Sequence, residues 1–415
     1  MTEIKEKSNM KKNILWNTFG SVFYSGCQWV ITVIIVHMAT FEDAGFLSLA
    51  MTTSSSFSAI SLFSMRNYQV SDVRGKYQTK HYLGSRIVTC LIAFVTCAIY
   101  SGITNSWYQA LCIDAFMLIR VAEATTDVLH GENQKFEKYD YIGKSYILRG
   151  IATIVFFVGG LGFSKDLLVS LLVIAIANLV IAFTYDAIHT GKLENIKPEI
   201  ISSKVFNLLK ECLPIVVFTF LLSLENLIPK QVLQQLNGTD ELGIYSTIAS
   251  PTLVVQVFAS VAFNPFLPGM SKLYVDGDYK AFRKLLHKVF LAFVGMCVVV
   301  TLGAALLGKP GLWLLFGEDI LKYYELFMPI VWCTILTAII WIMSAIMVAM
   351  RKIGWMLVGM IIDFGLCLLV VNPFVAEFGK NGVSFTQILV YGIYILFMIT
   401  VCEMTVLRKM KREDK

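Results

Sequence analysis

The sequence predicts an all-α polytopic membrane protein with about 12 transmembrane helices, in two pseudo-twofold-related six-helix bundles. Composition is the first observation: 56% of the 415 residues are hydrophobic and 15% are charged, whereas soluble domains carry roughly 45–50% apolar and about 25% charged residues. Mean hydropathy is +0.68. The second observation is that apolar stretches of about 20 residues, enough to cross a bilayer core, recur along the chain. The third is the asymmetric placement of lysine and arginine between them.

The apolar stretches place twelve helices along the whole chain. The predicted spans are 13–38, 42–64, 83–103, 105–130, 143–163, 166–188, 209–233, 241–263, 285–307, 322–350, 353–376 and 382–406. The basic segment MTEIKEKSNMKK precedes the first span, which lacks a small-residue cleavage site. We therefore expect a first transmembrane helix there, not a removable signal peptide.

Basic residues alternate between the connections. Connections on one side carry clusters such as Arg74, Lys76, Lys80 and Arg86, then Lys135 and Lys138, then Lys280, Arg283 and Lys284, whereas the other side holds only Lys165, Lys309, Lys322 and Lys380. Because basic residues stay on the cytoplasmic side, both termini are predicted to be cytoplasmic.

The two halves of the chain resemble each other. FEDAGFLSLA (41–50) matches TDELGIYSTIA (239–249), aligning Gly45 with Gly243 and, at the same offset, Gln28 with Asn226. Two halves of the same orientation imply a pseudo-twofold axis along the membrane normal and a site between the halves. We predict a six-helix bundle over 1–190, a cytoplasmic linker over 191–208 and a second bundle over 209–415.

The potential metal ligands are dispersed. The nine cysteines form no CxxC pair and lie mostly in apolar runs, and the five histidines are scattered. The cysteines are predicted to be small buried residues, and no metal site is expected.

The fourth predicted helix carries a charged stripe. Arg120, Glu123, Asp127 and His130 are spaced so that they share one helical face. A charge at the centre of a spanning helix costs about 2.5–3.5 kcal/mol on insertion scales, so such groups are paired or face water. One interpretation is an aqueous binding cavity; the other is that Arg120 pairs with Glu123 and Asp127 to pin the helix against its neighbours.

Two further helices carry polar faces. Ser223, Asn226 and Lys230 share a face of the seventh helix, with Glu225 as the expected counter-ion of Lys230. Snorkelling of Lys230 to the membrane surface is the alternative. In the first helix, a stripe suited to sugar hydroxyls or to helix–helix hydrogen bonds contains Asn17, Ser21, Tyr24 and Gln28.

Isolated charged residues are less informative. Asp114 in the fourth helix and Asp363 in the eleventh are candidate proton or cation sites or structural partners. Arg66, at the cytoplasmic end of the second helix, could contact an anionic headgroup or simply follow the positive-inside rule.

Several enzyme classes lack their motifs in this chain. The sequence contains no GxxxxGK[ST], GxSxG or HExxH motif, so ATP hydrolysis and these hydrolytic chemistries are not expected. Loops on the non-cytoplasmic side are too short for a large catalytic domain. We predict a protein that is not an enzyme.

The chain resembles the polysaccharide-biosynthesis flippases, the O-antigen and capsule repeat-unit (Wzx-type) transporters of the multidrug/oligosaccharidyl-lipid/polysaccharide exporter superfamily. The resemblance rests on MRNYQVSDVRGKY (65–77), AEATTDVLHGENQKFEKYDYIGKSYILRG (122–150), SLENLIPKQVLQQLNGTDELGIYS (223–246) and LLFGEDILKYYE (314–325). Lys230 stands where similar proteins often carry arginine, so the charge is kept without the bidentate geometry.

The resemblance implies a flippase that carries an undecaprenyl-diphosphate-linked oligosaccharide from the cytoplasmic to the outer leaflet by alternating access. It implies no cofactor, leaves proton or sodium coupling open, and implies membrane lipid and other polysaccharide assembly proteins as partners but no nucleic acid. The expected substrate-binding residues are Arg120, Lys230, Arg66, Asn226, Asn17 and Gln28, with Glu123, Asp127, Glu225 and Asp363 as charge partners or coupling groups.

Two alternatives remain at this stage. A cation-coupled drug exporter of the same superfamily would place an acid at the cavity centre, so Arg120 argues against it and Asp363 for it. A membrane-embedded sugar transferase would need a catalytic constellation that the sequence does not display.

Overall fold

The structure, a computed structural model, describes residues 2–71, 76–252, 254–256, 259, 263 and 266–413. Every regular element in these ranges is helical. The chain divides into two compact units, Met1–Ser223 and Leu224–Lys415.

The first unit is built from helices that correspond to the first six predicted spans and part of the seventh. The helices are α1 (Thr2–Met38), α2 (Phe41–Leu62), the short α3 (Met65–Ser71), α4 (Thr79–Thr104), α5 (Trp107–Lys135), α6 (Tyr139–Ser164) and α7 (Leu167–Ile181). Helix α7 continues through a π-helical turn (Ala182–Asp186) into α8 (Ala187–Gly191). The first part of α9 (Ser203–Asn237) also belongs to this unit.

The second unit contains the rest of α9 and the remaining helices. These are α10 (Thr239–Ala249) with a 3₁₀ turn (Ser250–Thr252), α11 (Phe266–Val275), α12 (Tyr279–Phe316), a 3₁₀ segment (Asp319–Leu326), α13 (Phe327–Ala349), α14 (Ile353–Phe378) and α15 (Lys380–Glu413).

Most of these helices can cross a membrane. Among the described residues, nine helical segments are long and apolar enough to do so. Two more helices of spanning length are more polar, since α2 contains the run Thr52–Thr53–Ser54–Ser55–Ser56 and α5 carries the charged stripe. The predicted all-α membrane fold with about 12 helices is therefore confirmed.

The helix boundaries differ from the predicted ones mainly in length. Several helices extend beyond their apolar core, as in α1, which begins at Thr2, and α12, which covers Tyr279–Phe316. Polar ends are compatible with helix geometry although they lower local hydropathy. The later part of the predicted span 241–263 lies largely outside the described residues, and so does Arg74. The bundle boundaries at residues 190 and 209 stay a prediction.

Polar contacts join the start of α9 to the first unit. Glu211 accepts hydrogen bonds from Lys76 Nζ (2.6 Å), from the Tyr77 hydroxyl (3.0 Å) and from the Tyr68 hydroxyl. The bond to Glu211 raises the pKa of Tyr68 to about 12, because the carboxylate favours the protonated phenol. Further along α9, the Ser56 hydroxyl donates to the Ser223 carbonyl at 3.0 Å.

The segment between α8 and α9 packs on α4. The Glu199 backbone N–H donates to the Lys80 carbonyl at 3.0 Å, and Lys80 Nζ lies 2.7 Å from Glu199 Oε2. Hydrogen bonding to Lys80 lowers the pKa of Glu199. A side chain at Gly84 would collide with the Glu199 backbone, so this close approach requires glycine.

Glycines allow α1 and α6 to pack closely. A Cβ atom at Gly20 would collide with the backbone of Gly143, and one at Gly143 would collide with the Trp16 carbonyl. Small residues that bring helix backbones together are a principal source of association in lipid, where the hydrophobic effect between helices is weak. This contact fixes α1, which contributes one wall of the candidate site.

We predict that Gly143→Ala destabilises the protein by about 1–3 kcal/mol, because the added methyl group overpacks the α1–α6 contact. Gly159→Ala is the matched control on the same helix, since no atom lies within 4 Å of the added Cβ there. Alanine favours helix over glycine, so the control should be neutral or slightly stabilised. The thermal unfolding midpoint in detergent measures both, and equal midpoints for the two variants would contradict the proposed contact.

Candidate functional site

The charged stripe of α5 lines a cavity within the first unit. The cavity has a volume of about 310 Å³ and is bordered by α1, the end of α2, α5 and α6. Its lining residues are mostly polar: Ser21, Tyr24, Ser25, Gln28, Leu62, Arg120, Glu123, Thr126, Asp127, His130, Tyr146 and Arg149. All four predicted stripe residues therefore face one space, together with most of the predicted polar face of α1.

Capping at the start of α5 helps to set its position. The Ser106 backbone N–H donates to Gln109 Oε1 at 3.0 Å, which satisfies one of the orphan groups at a helix start. From this end, 3.6 residues per turn bring positions 120, 123, 127 and 130 to the same side. The spacing of the sequence thus determines which side chains meet in the cavity.

Arg120 is held by partners from three helices. Its NH1 atom lies 2.7 Å from Glu123 Oε2, and its NH2 atom donates to the Ser55 hydroxyl at 3.0 Å. Gln28 Nε2 donates to Glu123 Oε1 at 2.6 Å, and the Tyr24 hydroxyl donates to the same carboxylate. The pairing with Glu123 positions Arg120 and leaves part of its side chain on the cavity wall.

Asp127 bridges two arginines instead of pairing with Arg120. Arg66 NH1 lies 3.3 Å from Asp127 Oδ1, and Arg86 NH2 lies 3.0 Å from Asp127 Oδ2. Arg66 also donates to Gln134 Oε1 at 3.2 Å. One interpretation of the sequence was that Arg120 pairs with both Glu123 and Asp127, and its Asp127 pairing is therefore wrong.

A left-handed turn brings Arg66 to this carboxylate. Phe63 and Ser64 have φ of 49° and 51°, so α2 ends sharply and α3 starts in a new direction. The two arginines differ in exposure: the Arg66 side chain is 24% exposed and that of Arg86 only 2%. Arg66 is the more accessible of the two, although it is not among the residues that line the cavity.

A second buried ion pair lies behind His130. Arg149 NH2 is 3.3 Å from Asp186 Oδ2, and His130 Nε2 is 3.2 Å from Asp186 Oδ1, with the side chains of all three residues 1% exposed. Arg149 also donates to the Thr126 hydroxyl and to Asn178 Oδ1. Asp186 is the last residue of the π-helical turn, a distortion often found at functional sites.

Formal charges around the cavity do not cancel. Counting the network around the cavity, four guanidinium groups oppose three carboxylates, which leaves one net positive charge when His130 is neutral. The cations are Arg66, Arg86, Arg120 and Arg149, and the anions are Glu123, Asp127 and Asp186. Among the lining residues, Arg120 and Arg149 balance Glu123 and Asp127, so the excess positive charge belongs to the surrounding network. An excess of guanidinium groups in this network favours an anion.

Other predicted residues lie outside this cavity. Asn17 is on α1 but does not line it. Lys230 and Asn226 belong to the second unit, where Asn226 Oδ1 accepts a hydrogen bond from Gln387 Nε2 at 3.3 Å. Asp114 accepts a hydrogen bond from the Ser101 hydroxyl at 3.0 Å.

Glu225 is not the counter-ion of Lys230, so that prediction is wrong. Glu225 is 1% exposed and Asp363 is 2% exposed, and within the described part of the chain none of their carboxylate oxygens accepts a hydrogen bond. Asp363, on α14, acts electrostatically on Glu225, on α9. The second unit therefore contains two neighbouring buried carboxyl groups on helices that are long and apolar enough to span a membrane.

Sequence reasoning missed three charged residues of the site. The charge pattern places Arg86 in a cytoplasmic cluster and singles out neither Arg149 nor Asp186, although all three lie inside predicted spans. A charge near the end of a predicted helix is usually explained by the positive-inside rule or by snorkelling. Their position within an apolar span was the available signal.

Solved structures share the fold. The lipid II flippase MurJ in an inward closed conformation matches with a TM-score of 0.71 and 14% identity, over 94% of this chain and 87% of that one. An inward-facing multidrug resistance MATE family transporter of the MOP superfamily matches with a TM-score of 0.67 and 12% identity, over 96% and 99%. This protein is thus a multi-pass membrane protein with the fold of these transporters.

Sequence comparison then identifies the family. The model of the family described as "Polysaccharide biosynthesis protein" matches residues 10–274. The capsular polysaccharide biosynthesis protein CapF of Staphylococcus aureus is 30% identical over 315 residues, which are 75% of this chain and 78% of that protein. The chain belongs to the polysaccharide biosynthesis protein family, and the resemblance inferred from its motifs is confirmed.

We predict that Asp186→Ala lowers stability by about 3–5 kcal/mol, because it leaves Arg149 buried without its carboxylate. Asp140→Ala, which removes the partner of the more exposed Lys144, is the control and should cost at most about 1 kcal/mol. Thermal unfolding in detergent compares them. A small loss for Asp186→Ala, similar to that of the control, would show that Arg149 does not depend on this ion pair.

Proposed function

We propose that this protein is a flippase that moves an undecaprenyl-diphosphate-linked oligosaccharide from the cytoplasmic to the outer leaflet of the bacterial inner membrane by alternating access. The main supporting observation is the polar cavity of the first unit, which is lined by Arg120 and Arg149 and surrounded by an ion-pair network of four arginines and three carboxylates. It occurs in a member of the polysaccharide biosynthesis protein family. In the proposed orientation both termini are cytoplasmic, and the protein catalyses no covalent step.

The cavity suits the diphosphate part of such a cargo. Guanidinium groups bind phosphate oxygens with two parallel hydrogen bonds, which an ammonium group cannot match. A volume of about 310 Å³ is at the lower end of small-molecule sites, so the cavity would enclose a headgroup and not a whole oligosaccharide. The sugars would extend beyond it, and the polyprenyl tail would stay in lipid, where its burial costs nothing.

The accessible arginines would make the first contacts. Arg120, 16% exposed, and Arg66, 24% exposed, are the more exposed guanidinium groups, whereas Arg86 and Arg149 are almost fully enclosed. An anion can then replace part of the hydrogen bonding that Glu123 and Asp127 provide in its absence. Gln28, Tyr24 and Ser55 would keep Glu123 and Arg120 oriented during this exchange.

The membrane potential can drive this export. Moving negative charge out of a negative cytoplasm is favoured by about 2.3 kcal/mol per charge per 100 mV. ATP is not required for a cargo that carries a diphosphate. Neutralisation of the charge by accompanying cations would reduce this driving force.

We predict that Arg120→Ala slows flipping of a fluorescent undecaprenyl-diphosphate oligosaccharide in proteoliposomes by about 10- to 100-fold, the loss of one charged hydrogen-bonding group. Arg120→Lys keeps the charge but lacks the planar guanidinium group, so its flipping rate should lie between those of Arg120→Ala and wild type. Arg283→Ala is the control, because it removes an arginine paired with Glu403 in the second unit.

The outcomes separate the hypotheses. A folded Arg120→Ala protein that flips at the wild-type rate would limit Arg120 to pairing with Glu123. A wild-type protein that does not flip this lipid but exports cationic dyes would favour the drug-exporter alternative. Loss of activity with unchanged thermal stability in Arg120→Ala alone supports the anion site.

We propose that Glu225 and Asp363 couple transport to a proton or sodium gradient. Two buried carboxyl groups without hydrogen-bond donors in the described structure would be stabilised by taking up protons or by a bound cation. Their position in a spanning part of the second unit would let an ion gradient act on that unit.

We predict that Glu225→Gln/Asp363→Asn removes any acceleration of flipping by an imposed sodium or proton gradient, because neither amide can take up the ion. Asp114→Asn is the control, since Asp114 is an intramembrane carboxylate with its own hydrogen-bond donor. The measurement is the ratio of flipping rates with and without the gradient. If the gradient still accelerates flipping in the double variant, or if the acceleration is lost in Asp114→Asn instead, Glu225 and Asp363 are not the coupling site.

A further inference from the structure

A second cavity in the protein lies between the start of α14 and the end of α15, in the second unit. Its volume is about 490 Å³. One wall contains Lys352, which directly precedes α14, and Trp355 of α14, and the facing wall comes from α15 between Phe397 and Lys409. This groove is separate from the arginine cavity, and the proposed transport cycle does not use it.

The groove has one charged end and one apolar end. Phe397, Val401, Met404 and Arg408 follow i, i+4, i+7 and i+11 spacing and lie on one face of α15. At a rise of 1.5 Å per residue, the distance from the first to the last is about 16 Å. The apolar side chains come first along this face, and the basic ones follow towards the end of the helix.

Among the described residues, the charged groups that line this end are all basic. They are Lys352, Arg408 and Lys409. In the described part of the chain, neither Lys352 nor Arg408 has an ion-pair partner, while the nearby Glu403 is occupied by Arg283 and His287. Two cations are therefore available to a ligand.

The helices that form the groove indicate its depth in a membrane. Both α14 and most of α15 are long and apolar enough to span a bilayer. We therefore expect the apolar end of the groove to lie at hydrocarbon depth. Trp355 is 54% exposed beside the basic end. Tryptophan prefers the membrane–water interface, which places the cations at headgroup level.

We propose that this groove binds an anionic phospholipid, with its phosphate at Lys352 and Arg408 and one acyl chain along Phe397, Val401 and Met404. The negative phosphate complements the basic end of the groove, and an acyl chain packs against the side chains of its apolar end. A soluble phosphate would use the cations but leave the apolar half of the groove unexplained. In the proposed orientation, this lipid belongs to the cytoplasmic leaflet.

Quenching of Trp355 fluorescence by brominated lipids tests the proposal. The full-length protein is reconstituted in vesicles that contain brominated phosphatidylglycerol or brominated phosphatidylcholine at the same mole fraction. Because the chain has seven tryptophans, the Trp355 signal is obtained by subtracting the spectrum of Trp355→Phe. We expect stronger quenching by the anionic lipid, and a preference that falls about fivefold for each charge removed in Lys352→Gln and in Lys352→Gln/Arg408→Gln.

Lys192→Gln/Lys197→Gln is the matched control, since it removes the same charge from exposed positions of the first unit. It should keep the wild-type preference, with thermal unfolding confirming that all variants are folded. Equal quenching by the two lipids, or an unchanged preference in the double variant, would overturn the proposal. So would reversal of the quenching by millimolar inorganic phosphate, which would indicate a soluble-anion site. Flipping assays are independent of this readout, so failure of one proposal does not imply failure of the other.

Discussion

A charge inside a bilayer needs an opposite charge or water, and in the first unit α5 provides for both. Its carboxylates meet arginines from α3, α4 and its own preceding turn. On the same side of the helix, His130 contacts Asp186 and the Thr126 hydroxyl accepts a hydrogen bond from Arg149. Insertion of α5 without those neighbours would be unfavourable, because each uncompensated charge costs several kcal/mol in the hydrocarbon core. The surrounding helices are therefore held in place partly by the charges that form the site.

The network separates arginines that support the structure from those that can contact a ligand. Arg86 and Arg149 are enclosed and surrounded by fixed acceptors, including the Ser61 carbonyl and the Thr126 hydroxyl. Arg66 and Arg120 have exposed portions, and each still touches a carboxylate. Preorganised groups of this kind bind an anion with little reorganisation, because their orientation is set before the ligand arrives.

The fold was largely predictable from sequence, because bilayer thickness allows few solutions and helix spacing is regular. The same regularity placed Arg120, Glu123, Asp127 and His130 together. Residue pairing between helices was not predictable, since it depends on side-chain direction and on local irregularities. Asp127 contacts Arg66 only because Phe63 and Ser64 turn the chain, and Asp186 reaches Arg149 and His130 from a π-helical turn that has no sequence signature. Proximity in sequence predicts an ion pair between Glu225 and Lys230, whereas the charged neighbour of Glu225 is Asp363 on α14.

The π-helical turn between α7 and α8 also constrains how this family member can change. A π turn closes its hydrogen bonds over five residues instead of four, so each residue turns the chain by less than the roughly 100° of an α-helix. The same residues in regular α-helical geometry would therefore direct Asp186 to another side of the helix, away from Arg149 and His130. The buried ion pair thus depends on the irregularity of this helix, and a substitution that made the segment regular would separate the three side chains without changing any of them.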